Sequence, residues 1–281
     1  MNAIQFYKYV SIGNDFVLID QPVENYEDFA RAICARRFGA GSDGLLVLTE
    51  QDSQHELRMF NPDGSEDFCG NGIRCAALHL WRGSAGEIIK IRHGGRSNAA
   101  VFSAGGWIDV GLPAARFDAG SVPVVCGLSE MFRQTIQVAG SELLASALTT
   151  GSTHTVIERL REPDDEEFAR VSPILENDAR FPMRTSVIWA WPTGEKSVRI
   201  RIWERGVGET LGCGTGSAAA AAVWFRNNPK LLALAVENPG GEAVVSRGEN
   251  EGLVVSAKAQ RVYEGRFAIS SNNVGSASAC V

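Results

Sequence analysis

Leu211-Gly-Cys-Gly-Thr-Gly-Ser217, running directly into Ala218 to Ala222, decides how the rest of the chain is read, because Phe68-Cys-Gly-Asn-Gly-Ile-Arg74 is a near copy of it 144 residues earlier. Aligned on Cys69 and Cys213, both stretches keep glycine at −5 (Gly64, Gly208), at +1 (Gly70, Gly214) and at +3 (Gly72, Gly216). Each then enters an apolar segment ending in aromatics, Ala76-Ala-Leu-His-Leu-Trp81 and Ala218 through Val223-Trp-Phe225. An internal repeat at about half the chain length predicts two similar units. Each places one cysteine at the mouth of a Gly-rich turn where a helix begins.

That placement has chemical consequences. The first turn of a helix presents free N–H groups and the positive end of the macrodipole, which favour an anion and ease ionisation of a thiol. The N–H donors of Gly70, Asn71, Gly214 and Thr215 suit a carboxylate, and glycine lets the backbone approach it closely. If the two turns meet across a cleft, one thiolate can remove an α-proton while the opposite thiol returns one to the other face. The weakly acidic α-proton of an amino acid then explains two helix ends, because the carbanion needs aimed dipoles.

Length and composition are consistent with this reading. A chain of 281 residues, 44% hydrophobic and 21% charged, has the balance of a globular protein with room for two cores. A net charge of −6 without a basic run argues against a nucleic-acid surface. Met1 to Val10 carries no signal-peptide pattern and no eighteen apolar residues run together, so the expectation is a cytoplasmic protein without a membrane partner. Six cysteines in a chain of this size do not resemble a secreted disulfide framework.

The periodicities predict a mixed α/β fold built mostly of strands. Residues 4–20 read as two strands around Ser11-Ile-Gly-Asn-Asp15, Tyr26 to Phe38 as a helix stopped by Gly39, and Leu45 to Leu48 and Leu57 to Phe60 as strands. Glu87 to Arg92 and Trp107 to Val110 follow as strands, and Pro113 to Pro123 reads as the crossover. In the second half Thr155 to Glu158, Ser186 to Trp191, Val198 to Trp203, Ala243 to Ser246, Leu253 to Ser256 and Gln260 to Glu264 read as strands. Asp164 opens a helix with Glu167 as a capping box. The expected division is residues 1–115 with a returning strand near 262–269, then residues 116–261. The tail 270–281 is small and polar, which predicts disorder and no role for Cys280.

Four motifs in order, Gly13-Asn-Asp-Phe16, Asn61-Pro-Asp-Gly-Ser-Glu66, Phe68 through Cys75 and Trp203-Glu-Arg-Gly-Val-Gly-Glu-Thr-Leu-Gly-Cys-Gly-Thr-Gly216, resemble the diaminopimelate epimerase family over about residues 4 to 266. The resemblance implies two pseudo-symmetric α/β units, each a mostly antiparallel sheet curled around a central helix. It implies a two-cysteine isomerase, usually a homodimer, that needs no cofactor or metal and acts on a small amino acid in lysine and peptidoglycan precursor synthesis. Residue by residue, Cys69 and Cys213 would exchange the roles of base and acid. Gly70, Asn71, Gly214 and Thr215 would hold the reacting carboxylate, and His154 and Glu204 would tune the thiols and the reacting amino group. Asn14, Asn61 and Arg205 match substrate contacts. Ser152 and Ser186 stand where the family usually has asparagines that contact the distal end of the substrate, which leaves open a racemase of another amino acid or an amino-acid-binding relative without catalysis.

Other readings of the same residues are weaker. Cys34 and Cys75 fall at core positions of their helices. Gly212 to Gly216 lacks the Lys-Ser/Thr of a phosphate loop and the order of a dinucleotide loop. Cys69, Cys75 and His79 have the wrong spacing for zinc.

Overall fold

A computed structural model describes residues 3–268, which form two units, one comprising residues 3–110 and 258–268 and the other Gly111–Ala257. The boundaries thus fall at 110/111 and 257/258, where the sequence suggested 115/116 and 261/262. No turn marks the second boundary, because the two strands expected at 253–256 and 260–264 are one continuous strand, β17 (Leu253–Ala268). The tail and Cys280 lie outside the described residues.

The first unit begins with the antiparallel pair β1 (Ala3–Ser11) and β2 (Asn14–Ile19). Helix α1 (Tyr26–Cys34) then leads to β3 (Gly44–Gln51), parallel to β2, and β4 (Gln54–Phe60), antiparallel to β3. After the short β5 (Glu66–Asp67) comes α2 (Gly70–Leu80), then β6 (Ile88–His93), parallel to β4, and the meander of β7 (Arg96–Ser103) and β8 (Trp107–Leu112).

Both faces of this sheet are covered, so its central strands need apolar residues on both sides. Tyr9, Phe16, Leu18, Leu46, Leu48 and Met59 pack with Ile73, Cys75, Ala76 and Ala77 of α2. The alternate residues Phe6, Val17, Ile19, Leu45 and Val47 pack with Phe29, Ala30, Ile33 and Cys34 of α1. That accounts for the unbroken run Leu45 to Leu48. Burial of each large side chain stabilises the fold by roughly 1.5–3 kcal/mol. Helix α1 stops at Cys34, short of the expected Phe38, because the amides of Gly41 and Ser42 take the carbonyls of Ile33 and Cys34 and Phe38 is 90% exposed with no core to reach.

The second unit repeats this order. Strands β10 (Ser141–Thr149) and β11 (Thr153–Glu158) are antiparallel, and α3 (Asp165–Glu176) precedes β12 (Ser186–Gly194), parallel to β11. Strands β13 (Ser197–Glu204) and β14 (Gly208–Thr210) lead into α4 (Gly214–Asn227). Strand β15 (Ala233–Asn238), parallel to β13, is followed by β16 (Gly241–Arg247) and the first part of β17. Phe168, Val171 and Leu175 of α3 pack on Val187, Trp189 and Trp191 of β12. Ala218 to Ala222 of α4 are almost wholly buried; the side chains are small because strands pass close on several sides of the helix.

One extra strand in each unit completes the pattern. In the second unit β9 (Gln134–Val138) pairs antiparallel with β10, and in the first the remainder of β17 pairs antiparallel with β1. Strands β5, β7, β9, β10, β14 and β15 were not read from the sequence; they are either two or three residues long or lie among polar or small residues that blur the period-2 signal.

Candidate active site

The half-site in the first unit grows from the turn after β4. Asn61 donates from its side chain to the Ser65 hydroxyl at 3.0 Å, and the Ser65 hydroxyl donates to Asp63 at 2.6 Å. Gly64 takes a left-handed conformation (φ 87°), as does its counterpart Gly208 (φ 98°), which is why the repeat keeps glycine at that offset. Cys69 is the N-cap of α2: its backbone is extended (φ −138°, ψ 108°) and its sulfur accepts the Gly72 amide at 3.3 Å. This is the cap geometry usually filled by a serine or aspartate oxygen.

Asn71 and Asn14 are locked by an amide chain. Asn71 Nδ2 donates to Asn14 Oδ1 at 2.8 Å, Asn14 Nδ2 donates to Asp43 at 3.3 Å, and Asn71 Oδ1 accepts from Arg74 at 2.9 Å. Asn71 is buried, so its backbone N–H is what remains to meet a carboxylate. Burial pushes the Arg74 guanidinium down to about 10. Beneath Asn14, burial works to raise the Asp15 carboxyl but hydrogen bonds from Arg36 and Lys8 hold it below its ordinary value. Burial instead raises Asp43.

In the second unit Cys213 is the N-cap of α4 (φ −140°, ψ 114°) and its sulfur accepts the Gly216 amide at 3.2 Å. The sulfur also lies 3.3 Å from the Thr215 hydroxyl, which lies 3.3 Å from Nε2 of His154. His154 Nδ1 is 2.8 Å from the carbonyl of Ser152. A carbonyl only accepts, so Nδ1 carries the proton and Nε2 is the acceptor. Burial pushes His154 down to about 4, which keeps the ring neutral. The Thr215 hydroxyl therefore has two orientations: towards His154 when Cys213 is a thiol that donates to it, and towards sulfur when Cys213 is a thiolate.

Glu204 is the last residue of β13 and Arg205 begins the turn to β14. The Thr210 hydroxyl donates to Glu204 at 2.6 Å, and the Arg205 amide donates to the Ser186 hydroxyl at 3.1 Å. The guanidinium of Arg205 donates to the Met183 carbonyl at 3.0 Å. Ser152 donates to the Thr215 hydroxyl at 3.4 Å. In the second unit hydrogen bonds thus join Ser152, His154, Cys213 and Thr215, with Gly214 between the last two, and the separately bonded Ser186 and Arg205 adjoin them because Ser186 lies opposite His154 in the β11–β12 pair. In the first unit Asn14, Asn71 and, through Arg74, the Gly70 carbonyl are joined beside Cys69. Asn61 makes its side-chain bond within its own turn.

Sequence reasoning passed over Glu176. It is 4% exposed, and its carboxylate accepts from Trp203 Nε1 and the Gly206 amide, each at 2.7 Å, and pairs with Arg184. It thereby fixes the end of β13 and the turn after it, which carry Glu204 and Arg205. An acidic residue inside a helix gives no such signal from sequence.

The sequence model of the family described as diaminopimelate epimerase matches residues 6–117 and 146–262, which include both cysteine turns. This chain belongs to the diaminopimelate epimerase family. A diaminopimelate epimerase of Synechococcus sp. (strain JA-3-3Ab) is 37% identical over 260 residues, covering 85% of this chain and 89% of the relative. Among solved structures, a phenazine biosynthesis protein of the PhzF family from Bacillus anthracis aligns with a TM-score of 0.67 at 17% identity, covering 96% of this chain and all of that one. A probable proline racemase from Agrobacterium radiobacter K84 aligns with a TM-score of 0.70 at 10% identity, covering 95% and 93%. At such identities the two structures speak for the fold alone. The family match skips residues 118–145, which hold β9 and the start of β10 and no residue of the candidate site.

Proposed function

We propose that the chain is an isomerase that interconverts LL- and meso-2,6-diaminopimelate without a cofactor, moving the α-proton by way of Cys69 and Cys213. The observation that carries this reading is that both cysteines of the family's paired motif are N-caps of Gly-x-Gly helix starts, one in each unit. One sulfur, as thiolate, takes the α-proton; the electron pair stays on the α-carbon, and the other thiol gives its proton to the opposite face. Negative charge passes from one cysteine to the other, and the reverse reaction exchanges their roles. Backbone N–H groups of Gly70, Asn71, Gly214 and Thr215 hold the reacting carboxylate and take up charge as it spreads from the α-carbon.

The supporting residues divide as follows. His154, acting through Thr215, and Glu204, held by Thr210, set the protonation of Cys213 and of the substrate amine. Asn14, Asn61 and Arg205 bind the substrate. The setting is lysine and peptidoglycan precursor synthesis in the cytoplasm, as a homodimer, with a small amino acid as the partner and neither nucleic acid nor membrane.

In heavy water the purified protein should load deuterium at the α-carbon of diaminopimelate. Cys69→Ser and Cys213→Ser should each lose at least about 100-fold in turnover. Full turnover in both variants would reject the proposal.

One observation favours a second substrate. Ser152 and Ser186 replace asparagines, and both hydroxyls are engaged within the protein, with Thr215 and with the Arg205 amide. Neither has the reach or the paired donor and acceptor of an amide. A panel of amino acids in which another substrate exceeds diaminopimelate in kcat/KM would move the assignment to that racemase. Binding without α-proton exchange of any of them would leave a non-catalytic relative.

A further inference from the structure

We propose that His93 in the first unit and Asn238 in the second are positioning residues for the two cysteines, each accepting the backbone N–H of its N-cap cysteine and so fixing the turn that aims the sulfur. The inference rests on the reading that these cysteines carry the proton.

The need for such a residue follows from the helix start. In an ordinary capping box the side chain at N3 reaches back to the N-cap N–H. Here N3 is glycine in both units. A Cβ on Gly72 would lie 2.8 Å from Leu46 Cδ2, and one on Gly216 would lie 2.8 Å from Ile188 Cδ1, so any N3 side chain would have to displace a packed neighbour, and with glycine there no side chain reaches back. The acceptor has to come from elsewhere in the fold, and it comes from equivalent places. His93 Nε2 lies 2.9 Å from the Cys69 nitrogen and Asn238 Oδ1 lies 3.3 Å from the Cys213 nitrogen.

Each is the last residue of the strand that follows its cysteine helix, β6 and β15. Those strands hold the same station in their units, parallel to β4 and β13 and antiparallel to β7 and β16. The separations in sequence are 24 and 25 residues. Both side chains are buried and held from behind. His93 Nδ1 is 2.8 Å from the Leu57 carbonyl and its ring stacks on Phe68 with centroids 4.9 Å apart, while Asn238 Nδ2 donates to the Val236 carbonyl at 3.2 Å.

The two seats differ in one respect: an imidazole takes up a proton and an amide does not. Bonding to Leu57 puts the His93 proton on Nδ1 and leaves Nε2 as the acceptor. A second proton would set an N–H against the Cys69 N–H. The charged groups around the ring are Glu66 and Asp67 on β5, Arg58 on β4 paired with Glu66, and Arg96 on β7 above Phe68. Burial outweighs the carboxylates and lowers the affinity of His93 for that proton. The Cys69 turn thus loses its anchor in acid while the Cys213 turn keeps its own.

The test compares His93→Gln, which keeps an acceptor, with His93→Leu, which fills the space without one. Alkylation of Cys69 by iodoacetamide, followed by peptide mass spectrometry from pH 5 to 9, uses Cys213 in the same molecule as the reference. The leucine variant should label Cys69 about three- to tenfold more slowly at pH 7, the effect of half to one unit in thiol acidity, with Cys213 unchanged. Its kcat should fall about 10- to 100-fold with KM changed much less. The glutamine variant should recover most of both and lose the acidic limb that His93 imposes. Unaltered Cys69 labelling in a folded leucine variant, or a glutamine variant no better than leucine at equal Tm, would overturn the inference.

Should the leucine variant fail to fold, the parent answers the question, since its Cys69 amide proton shift follows the His93 titration if the bond exists and stays flat if it does not. Labelling does not depend on epimerase activity. A protein that shows the labelling pattern but turns over no diaminopimelate would sink the proposed function and leave the positioning role standing.

Discussion

A hydroxyl placed between a thiol and an imidazole has two ways to point, and Thr215 is in that place, 3.3 Å from each. In the proposed reaction Cys213 serves as base in one direction and acid in the other, which calls for a neighbour that stabilises both of its states, as threonine does by turning about one bond. Thr215→Val should lower kcat about tenfold, the worth of one hydrogen bond of about 1.4 kcal/mol, whereas Thr215→Ser should stay within a few-fold. Steady-state rates in both directions check this. His154 offers a separate prediction. Its folded value of about 4 lies below the ordinary 6.5, so the unfolded chain binds the proton first. The stability it contributes is complete above about pH 6.5 and is lost as pH falls towards 4, on the order of 3 kcal/mol in total. Denaturation of His154→Gln across that range should show a shallower acid loss than the parent, and equal slopes would refute the burial argument. The cysteines and their glycines were legible because a repeat marks them. His93 and Asn238 were not, because the same seat is filled by different residue types 24 and 25 residues away, and the bonds that define it run from the end of a strand back to the start of a helix.

At the scale of elements, the cysteine helices begin where a cap sulfur and a close-packed glycine coincide. Gly72→Ala and Gly216→Ala push a methyl to 2.8 Å from Leu46 and Ile188, so each should cost about 1–3 kcal/mol and shift the helix start. Thermal melts together with turnover measure this, and a variant of parental Tm and activity would show that the neighbours yield. Glu176 ties α3 to the turn after β13 through Trp203, Gly206 and Arg184. Glu176→Gln should keep the fold but raise KM more than it lowers kcat, because the turn carries Arg205. The capping box at α3 was half right. Asp164 accepts the Glu167 amide at 2.7 Å, but the Glu167 carboxylate turns to Arg159, a partner eight residues away that no local rule supplies.

Over the whole molecule the least local feature is β17, sixteen residues long and serving both units in turn. Its first part pairs with β16 and its later part covers β1, the role β9 fills for β10. A chain ending at Ala257 should therefore expose the β1 edge and remove Phe267 from Phe29. Amide exchange along β1 is expected to rise sharply in that chain while β10 and β11 stay protected; equal protection of β1 would contradict the pairing.

The sequence by itself determined the duplication, the two cysteine-capped helices, the strand-rich α/β class and the family, because each depends on spacing along the chain or on a local backbone requirement. Tertiary structure alone decided what receives the cysteine amides, what holds Arg205 and what covers β1. Those contacts join residues far apart in sequence, and burial selects whichever side chain brings the needed hydrogen-bonding atom, so no fixed pattern of letters records them.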